Sequence, residues 1–233
     1  MARVMQAASL TRRQYQLSAG LSDATAADML SPENLAHWRQ TLDNGALFSR
    51  GTTHLNVADA AGNLASLTLS NGEGSSYVLP GSGIMLNNMM GEEDLSPEGF
   101  HRLPAGVRLA SMMTPMIAAM PDGSQLALGS GGSNRIRSAI LQVLTNMLEF
   151  DMPLSAAVAA PRLHLEGARL SIEPGYSGSS IDALSAVWPE LKCWPTQNLF
   201  FGGVHAVQRF SNGKFAGVGD ARRQGAVAIA KTG

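Results

Sequence analysis

The chain has one cysteine, Cys193, so no internal disulfide can form; the compartment stays open, with a lean toward a reducing one. It has no excess of charge: 17 Lys+Arg stand against 18 Asp+Glu, a net charge of -1. Nothing in that balance points to nucleic acid or an anionic membrane as a partner. No apolar run approaches the ~20 residues of a membrane helix. The opening MARVMQAASLTRRQYQL has no continuous apolar core followed by a cleavage site. It does not read as a signal peptide, which leaves cytoplasm and periplasm both open, and it reads as the interior of a longer gene product. His37, His54, His101, His164 and His205 show no HxxxH spacing and no CxxC accompanies them, so neither a metal site nor a cofactor is expected. The glycine-rich GSGGSN at 129–134 is not followed by Gly-Lys-Ser/Thr, which excludes a phosphate loop of the Walker type.

What is present is a globular composition, 45% apolar and 15% charged over 233 residues. A chain this long buries about 70% of its unfolded surface without a staple, as one large domain or two small ones. Residues 1–20 have helical spacing, and Ser31-Pro32-Glu33 is a helix start, with Ser as N-cap and Pro at the first helical position, predicting a helix over 32–42. Asn44-Gly45 marks a turn, and after Gly51 the apolar period changes to two. A domain boundary is placed there.

In LNVAD and LASLTLS, Leu55, Val57, Leu67 and Leu69 alternate with polar residues, so each run reads as a strand with one apolar face and one wet or functional face. The loop 59–63 joins them as a hairpin. Pairing Ala58 with Leu64 sets Thr52 opposite Ser70 on one face, Cβ atoms roughly 5 Å apart, and Leu55, Val57, Leu67 and Leu69 hold the hairpin. A strand is predicted over 83–90, before the acidic run Gly91-Glu92-Glu93-Asp94. Met116–Met120 and Gln125–Gly129 flank Pro121-Asp122-Gly123 as a second hairpin. GSGGSN reads as a loop opening a helix whose stripe is Ile136, Ile140, Val143, Leu144, Met147 and Leu148. Further helices are predicted near 155–160 and 181–188, and strands at 169–173, 203–209, 214–218 and 225–230. Paired strands with intervening helices predict α+β with mainly antiparallel sheets.

The stretch SRGTTHLNVAD poses the chemical question. A threonine hydroxyl is a weak nucleophile unless a base adjoins it, and an N-terminal threonine carries that base as its own α-amine. Thr52 could serve so only after cleavage of Gly51-Thr52; otherwise Thr52-Thr53 is simply β-rich sequence after a loop. GSGGSN offers backbone N–H groups to an oxyanion or is an ordinary helix entry. The acidic run 92–94 can hold an ammonium group or is a solvated loop.

Taken in order, GTTH, NVAD with GN, a strand ending Ser70-Asn71, PGSGIMLNNMM with acids after it, RLASMMTP, PDG, GSGGSNRI, APRLH and GDARR resemble the small, catalytic subunit of the gamma-glutamyltranspeptidases from about residue 48 to 225. Cephalosporin acylase-like enzymes share these motifs. The resemblance implies an N-terminal-nucleophile hydrolase of αββα sandwich type, here partial, with 1–51 as the tail of a large-subunit region and 52–233 as the catalytic domain. It further implies self-cleavage before Thr52, whose amine becomes the base, support from Thr53, and a hydrogen bond from Ser70. Gly131 and Gly132 would form the oxyanion site. Asn71, Glu92 and Glu93 would hold the substrate α-amine and Ser111, preceded here by Ala110, the α-carboxylate. The implied reaction moves a γ-glutamyl group from a glutathione-like donor to water or an amino acid, without a cofactor. The arginine for the substrate carboxylate would come from a large-subunit segment, the expected partner. Two other readings stay open: a partial family member that needs that segment, and an acylase for another amide.

Overall fold

The computed structural model describes residues 51–230 except 93, 94, 97, 98 and 103, together with 27, 28, 31–34 and 36. The chain divides into two units, residues 1–50 and 51–233. In the first, residues 32–34 and 36 are helical, and the Ser31 hydroxyl accepts the Asn34 N–H at 3.3 Å, the N-cap geometry expected of this serine. The remainder of the helices expected over 1–20 and 32–42 lies outside the described residues.

The second unit is α+β. Strands β1 (Thr52–Ala58) and β2 (Leu64–Ser70) form a two-stranded antiparallel sheet. Strands β3 (Met116–Ala119), β4 (Gln125–Gly131), β8 (Gly203–Arg209) and β9 (Phe215–Val218) form an antiparallel sheet in that order. A third sheet contains β5 (Leu163–Glu166), β6 (Arg169–Ile172) and the short β7 (Lys192–Cys193), where β6 and β7 are parallel. The helices are α1 (Arg135–Leu148), α2 (Leu154–Ala159) and α3 (Gly178–Val187).

Two opposite faces of the four-stranded sheet do different work. Leu126 and Leu128 on β4 and Val204 and Ala206 on β8 pack against Ile136, Ala139, Ile140 and Val143 of α1 and Leu154, Ala157 and Val158 of α2. This is the apolar core, and the α1 stripe faces it as predicted except for Leu148, which is exposed. The other face meets the β1–β2 hairpin, giving a helix layer and two stacked sheets.

The hairpin register is the one read from the sequence: Thr52 pairs with Ser70 and Ala58 with Leu64. Its orientation corrects the expectation that the leucines hold it. Leu55, Val57, Leu67 and Leu69 are 41%, 55%, 45% and 53% exposed, while His54 on the polar face is buried. The polar face turns inward because it finds partners there: Asn56 Nδ2 donates to His205 O at 2.9 Å and Ser66 Oγ to Leu128 O at 3.2 Å.

Three other expectations change. Residues 129–131 are the end of β4, paired with 203–205, and only Gly132, Ser133 and Asn134 form the turn into α1. Residues 83–90 contain a single bridge, Val78 to Met85, and a 3-10 turn at Met89–Gly91 in place of a strand. Residues 225–230 have strand-like alternation yet no ladder partner among the described residues, so they are not a strand.

Candidate active site

Strand alternation puts Thr52, His54 and Asn56 on the inner face of β1 and pairs them with Ser70, Thr68 and Ser66. The result is a ladder of side-chain contacts. Thr52 Oγ1 and Ser70 Oγ are 2.9 Å apart, and His54 Nδ1 and Thr68 Oγ1 are 2.8 Å apart. Thr53, expected to support Thr52, is exposed on the opposite face, where the next residue of any strand must point.

Beneath this ladder β4 has no side chains at two alternate positions. A Cβ on Gly131 would lie 2.9 Å from Thr52 O, and one on Gly129 would lie 2.2 Å from Cε1 of the His54 ring. Glycine is therefore what lets the two sheets approach here, the usual meaning of glycine inside a strand. Gly131 stands directly against Thr52, and Gly132 follows it at φ +140°. His54 Nε2 is buried without a hydrogen-bond partner. Burial holds the His54 imidazole below its ordinary range, opposed by the nearby Asn56 side-chain oxygen, which favours the charged ring, while the neighbouring His205 lowers it further. Burial likewise lowers His205, whose Nδ1 accepts the Asp220 N–H at 3.2 Å.

After Ser70 the chain turns sharply. Gly72 takes φ +61°, its N–H donates to Ser70 Oγ at 3.1 Å, and a Cβ there would collide with Asn88 Oδ1 and stand 3.0 Å from Glu92 Oε1. Thr52, Ser70, Asn71 and Glu92 are thus drawn to one place. Asn88, whose Oδ1 also accepts the Glu73 N–H at 2.8 Å, belongs to the same group. Asn88 lies in the motif PGSGIMLNNMM, where the paired asparagines after an apolar run were the available signal. Glu93 lies outside the described residues. Ser111 is exposed, its hydroxyl accepting the Met113 N–H at 3.1 Å, and among the described residues no hydrogen bond joins it to the Thr52 group.

Two cavities frame the question of where a substrate sits. One of about 330 Å³ lies beside the polar ladder, lined by Thr53, His54, Asn56, His205 and the 223–228 segment. A larger one, about 600 Å³, is walled by Met120, Met147, Met152 and Phe210 and touches none of the predicted site residues. Size alone does not mark the site.

The motifs APRLH and GDARR supply a buried ionic network behind the glycines. Asp220 accepts from Arg162 Nη2 at 2.6 Å, from Val204 N at 2.9 Å and from Arg222 N at 3.0 Å. Glu173 accepts from Arg222 Nη2 at 2.5 Å and from Arg162 N at 2.9 Å. Arg162 also donates to the carbonyls of Phe201 and Gly202 at 3.4 and 3.3 Å. One residue further on, Gly203 N–H donates to Ser130 Oγ at 3.1 Å, and that hydroxyl donates to Gly131 O at 2.9 Å. A chain of bonds therefore runs from four buried charges to the glycine that faces Thr52.

An antiparallel-dominated α+β unit whose strand opens with a threonine over a glycine-rich strand end is the arrangement that the resemblance to N-terminal-nucleophile hydrolases implied. The sequence model of the gamma-glutamyltranspeptidases matches residues 1–230, and the chain belongs to that family. It is 33% identical over 213 residues to the Acylase ACY 1 proenzyme of Pseudomonas sp. (strain V22), covering 89% of this chain and 37% of that protein. It is 32% identical over 197 residues to the Glutathione hydrolase proenzyme of Bacillus subtilis (strain 168), covering 83% and 33%. Among solved structures, an acivicin-inhibited gamma-glutamyltranspeptidase superposes with a TM-score of 0.63 at 31% identity, over 74% of this chain and 99% of that one. The chain spans about a third of the length of these curated relatives.

Proposed function

We propose that this chain carries the catalytic part of an enzyme that hydrolyses or transfers γ-glutamyl groups from glutathione-like amides to water or an amino acid. The observation that carries it is the pair of hydroxyls, Thr52 and Ser70, at 2.9 Å over Gly131. In this reading the Gly51-Thr52 bond is cut by the chain itself, the freed α-amine of Thr52 takes the hydroxyl proton, and Oγ1 forms the acyl-enzyme. Gly131 and Gly132 donate N–H groups to the oxyanion, Asn71, Glu92 and Glu93 hold the donor's ammonium, and Ser111 its carboxylate. The exposed leucine and valine face of the hairpin supports a large-subunit segment as partner, since an apolar face of that kind is normally covered. The tail of that segment is residues 1–51.

Identity to an acylase proenzyme favours a second reading, an acylase acting on another amide by the same threonine chemistry. The two are separated by offering a γ-glutamyl anilide and an acyl amide side by side, with the large-subunit segment supplied. Cleavage is read by intact mass, as pieces of 51 and 182 residues. Thr52→Ala should remain one chain and release no chromophore, and Thr52→Ser should retain part of both activities. A wild-type chain that stays whole and silent on both substrates overturns the enzyme reading, and a Thr52→Ala chain that still cuts itself overturns the nucleophile.

A further inference from the structure

In the uncut chain the carbonyl carbon of Gly51 is the atom that Thr52 Oγ1 must attack. The oxygen on that carbon accepts the backbone N–H of Asn71 at 3.2 Å, and the Gly51 N–H donates to Gly72 O at 3.1 Å. The scissile peptide is therefore clamped by the two residues that follow β2. Gly131, by contrast, stands against the carbonyl and Cβ of Thr52, on the far side of the bond to be cut. Among the described residues, the backbone N–H bonded to the carbonyl to be cut is that of Asn71.

We propose that the backbone N–H of Asn71 is the oxyanion donor for self-cleavage, separate from the Gly131 and Gly132 N–H groups that serve the later substrate reaction. This rests on the reading of Thr52 as a self-cleaving nucleophile. When Oγ1 adds to the Gly51 carbon, the new C–O bond pushes the carbonyl electron pair onto oxygen, where the Asn71 N–H already points. The proton leaving Oγ1 passes to the Ser70 hydroxyl, which gives up its own as it takes one, and ends on the Thr52 nitrogen. The C–N bond then breaks, leaving Gly51 as an ester on Oγ1 and Thr52 with a free amine. Water hydrolyses the ester to the Gly51 carboxylate and restores the hydroxyl. No redox partner or cofactor enters.

The donor is held in place before the reaction, which is what makes such a donor effective. Asn71 O accepts from Gly74 N at 2.9 Å and Asn88 N at 3.4 Å, and Gly72 N–H fixes Ser70 Oγ at 3.1 Å. All three bonds are made by the Asn71-Gly72 peptide, so the plane that follows the donor is fastened on both its C=O and its N–H. All of these groups lie within residues 51–88.

The test replaces asparagine 71 by its α-hydroxy acid, which keeps the side chain and turns the N–H into an ester oxygen, in the full 233-residue chain. Self-cleavage is followed by intact mass. Loss of one oxyanion donor slows such reactions by about 10²–10³-fold, and that is the expected fall in rate. The same ester in the Thr52→Ala chain, which cannot cut, gives any folding loss by its urea midpoint, and rates are compared where both chains are fully folded. A folded ester variant that cuts at the wild-type rate overturns the assignment while the wild-type cleavage leaves the self-cleavage reading intact. A wild-type chain that never cuts, with the large-subunit segment supplied, overturns both.

Discussion

A methyl group added at position 129 tests how the two sheets are spaced. On Gly129→Ala the new Cβ would lie 2.2 Å from Cε1, 2.5 Å from Nδ1 and 2.7 Å from Nε2 of His54. Ordinary carbon contacts are about 3.5–4.0 Å, so the ring must retreat by more than about 1 Å. It cannot do so freely, because it is buried and its Nδ1 is held 2.8 Å from Thr68 Oγ1. Overpacking costs about 1–3 kcal/mol and the lost hydrogen bond about 1 kcal/mol, together about 2–4 kcal/mol. For a unit of this size that is a fall in Tm of about 4–16 °C. The measurement is thermal and urea unfolding in the Thr52→Ala background, where every molecule is the same uncut species. The decisive arm is His54→Ala, which removes the ring. In that background the same Gly129→Ala change should cost less than about 0.5 kcal/mol, since the clash has no second partner. Equal costs in both backgrounds would refute the claim that Gly129 is glycine for the sake of the His54 ring.

Asp220→Asn leaves Arg162 and Arg222 with one fewer buried negative charge, and should cost about 3–5 kcal/mol by urea titration; a loss under about 1 kcal/mol rejects the network as a support of the glycine strand. Stability should also depend on pH through His54 and His205, both lowered by burial from an ordinary value of 6.5. Below that value the unfolded chain binds protons that the folded chain refuses, so stability should fall as pH drops from about 7 toward about 5 and be flat above about 7.5 on this account. His54→Gln should reduce that slope, and an unchanged slope would assign it to other groups.

The hairpin shows how far local pattern reaches. Alternation and a turn signal are set by neighbouring residues, so the pairing of Thr52 with Ser70 was legible from the sequence and the structure reproduces it. Which face turns inward is settled by the partner sheet. The clue was present in Gly129 and Gly131, two glycines one residue apart, yet a glycine-rich run reads locally as a loop. Only the layer lying 2.9 Å from the missing Cβ of Gly131 explains why a strand should end that way.

Residues 225–230 show the complementary limit: alternation predicts a strand, but a ladder also needs a neighbour with free N–H and C=O groups, which alternation does not encode. Charged residues in a sequence are expected at the surface, so nothing local marks Arg162, Glu173, Asp220 and Arg222 as a buried set. The motifs holding Arg162, Asp220 and Arg222 were recognisable as family signatures without a physical reason, and Glu173 lay in none of them. By itself the sequence determined the strand register, the core stripe of α1, the capped helix start at Ser31 and the threonine that opens β1, because each rests on residues close along the chain. The tertiary structure alone decided that a polar face is buried, that glycines separate the sheets, and that four distant charges neutralise one another behind them, because each depends on contacts between segments far apart in sequence.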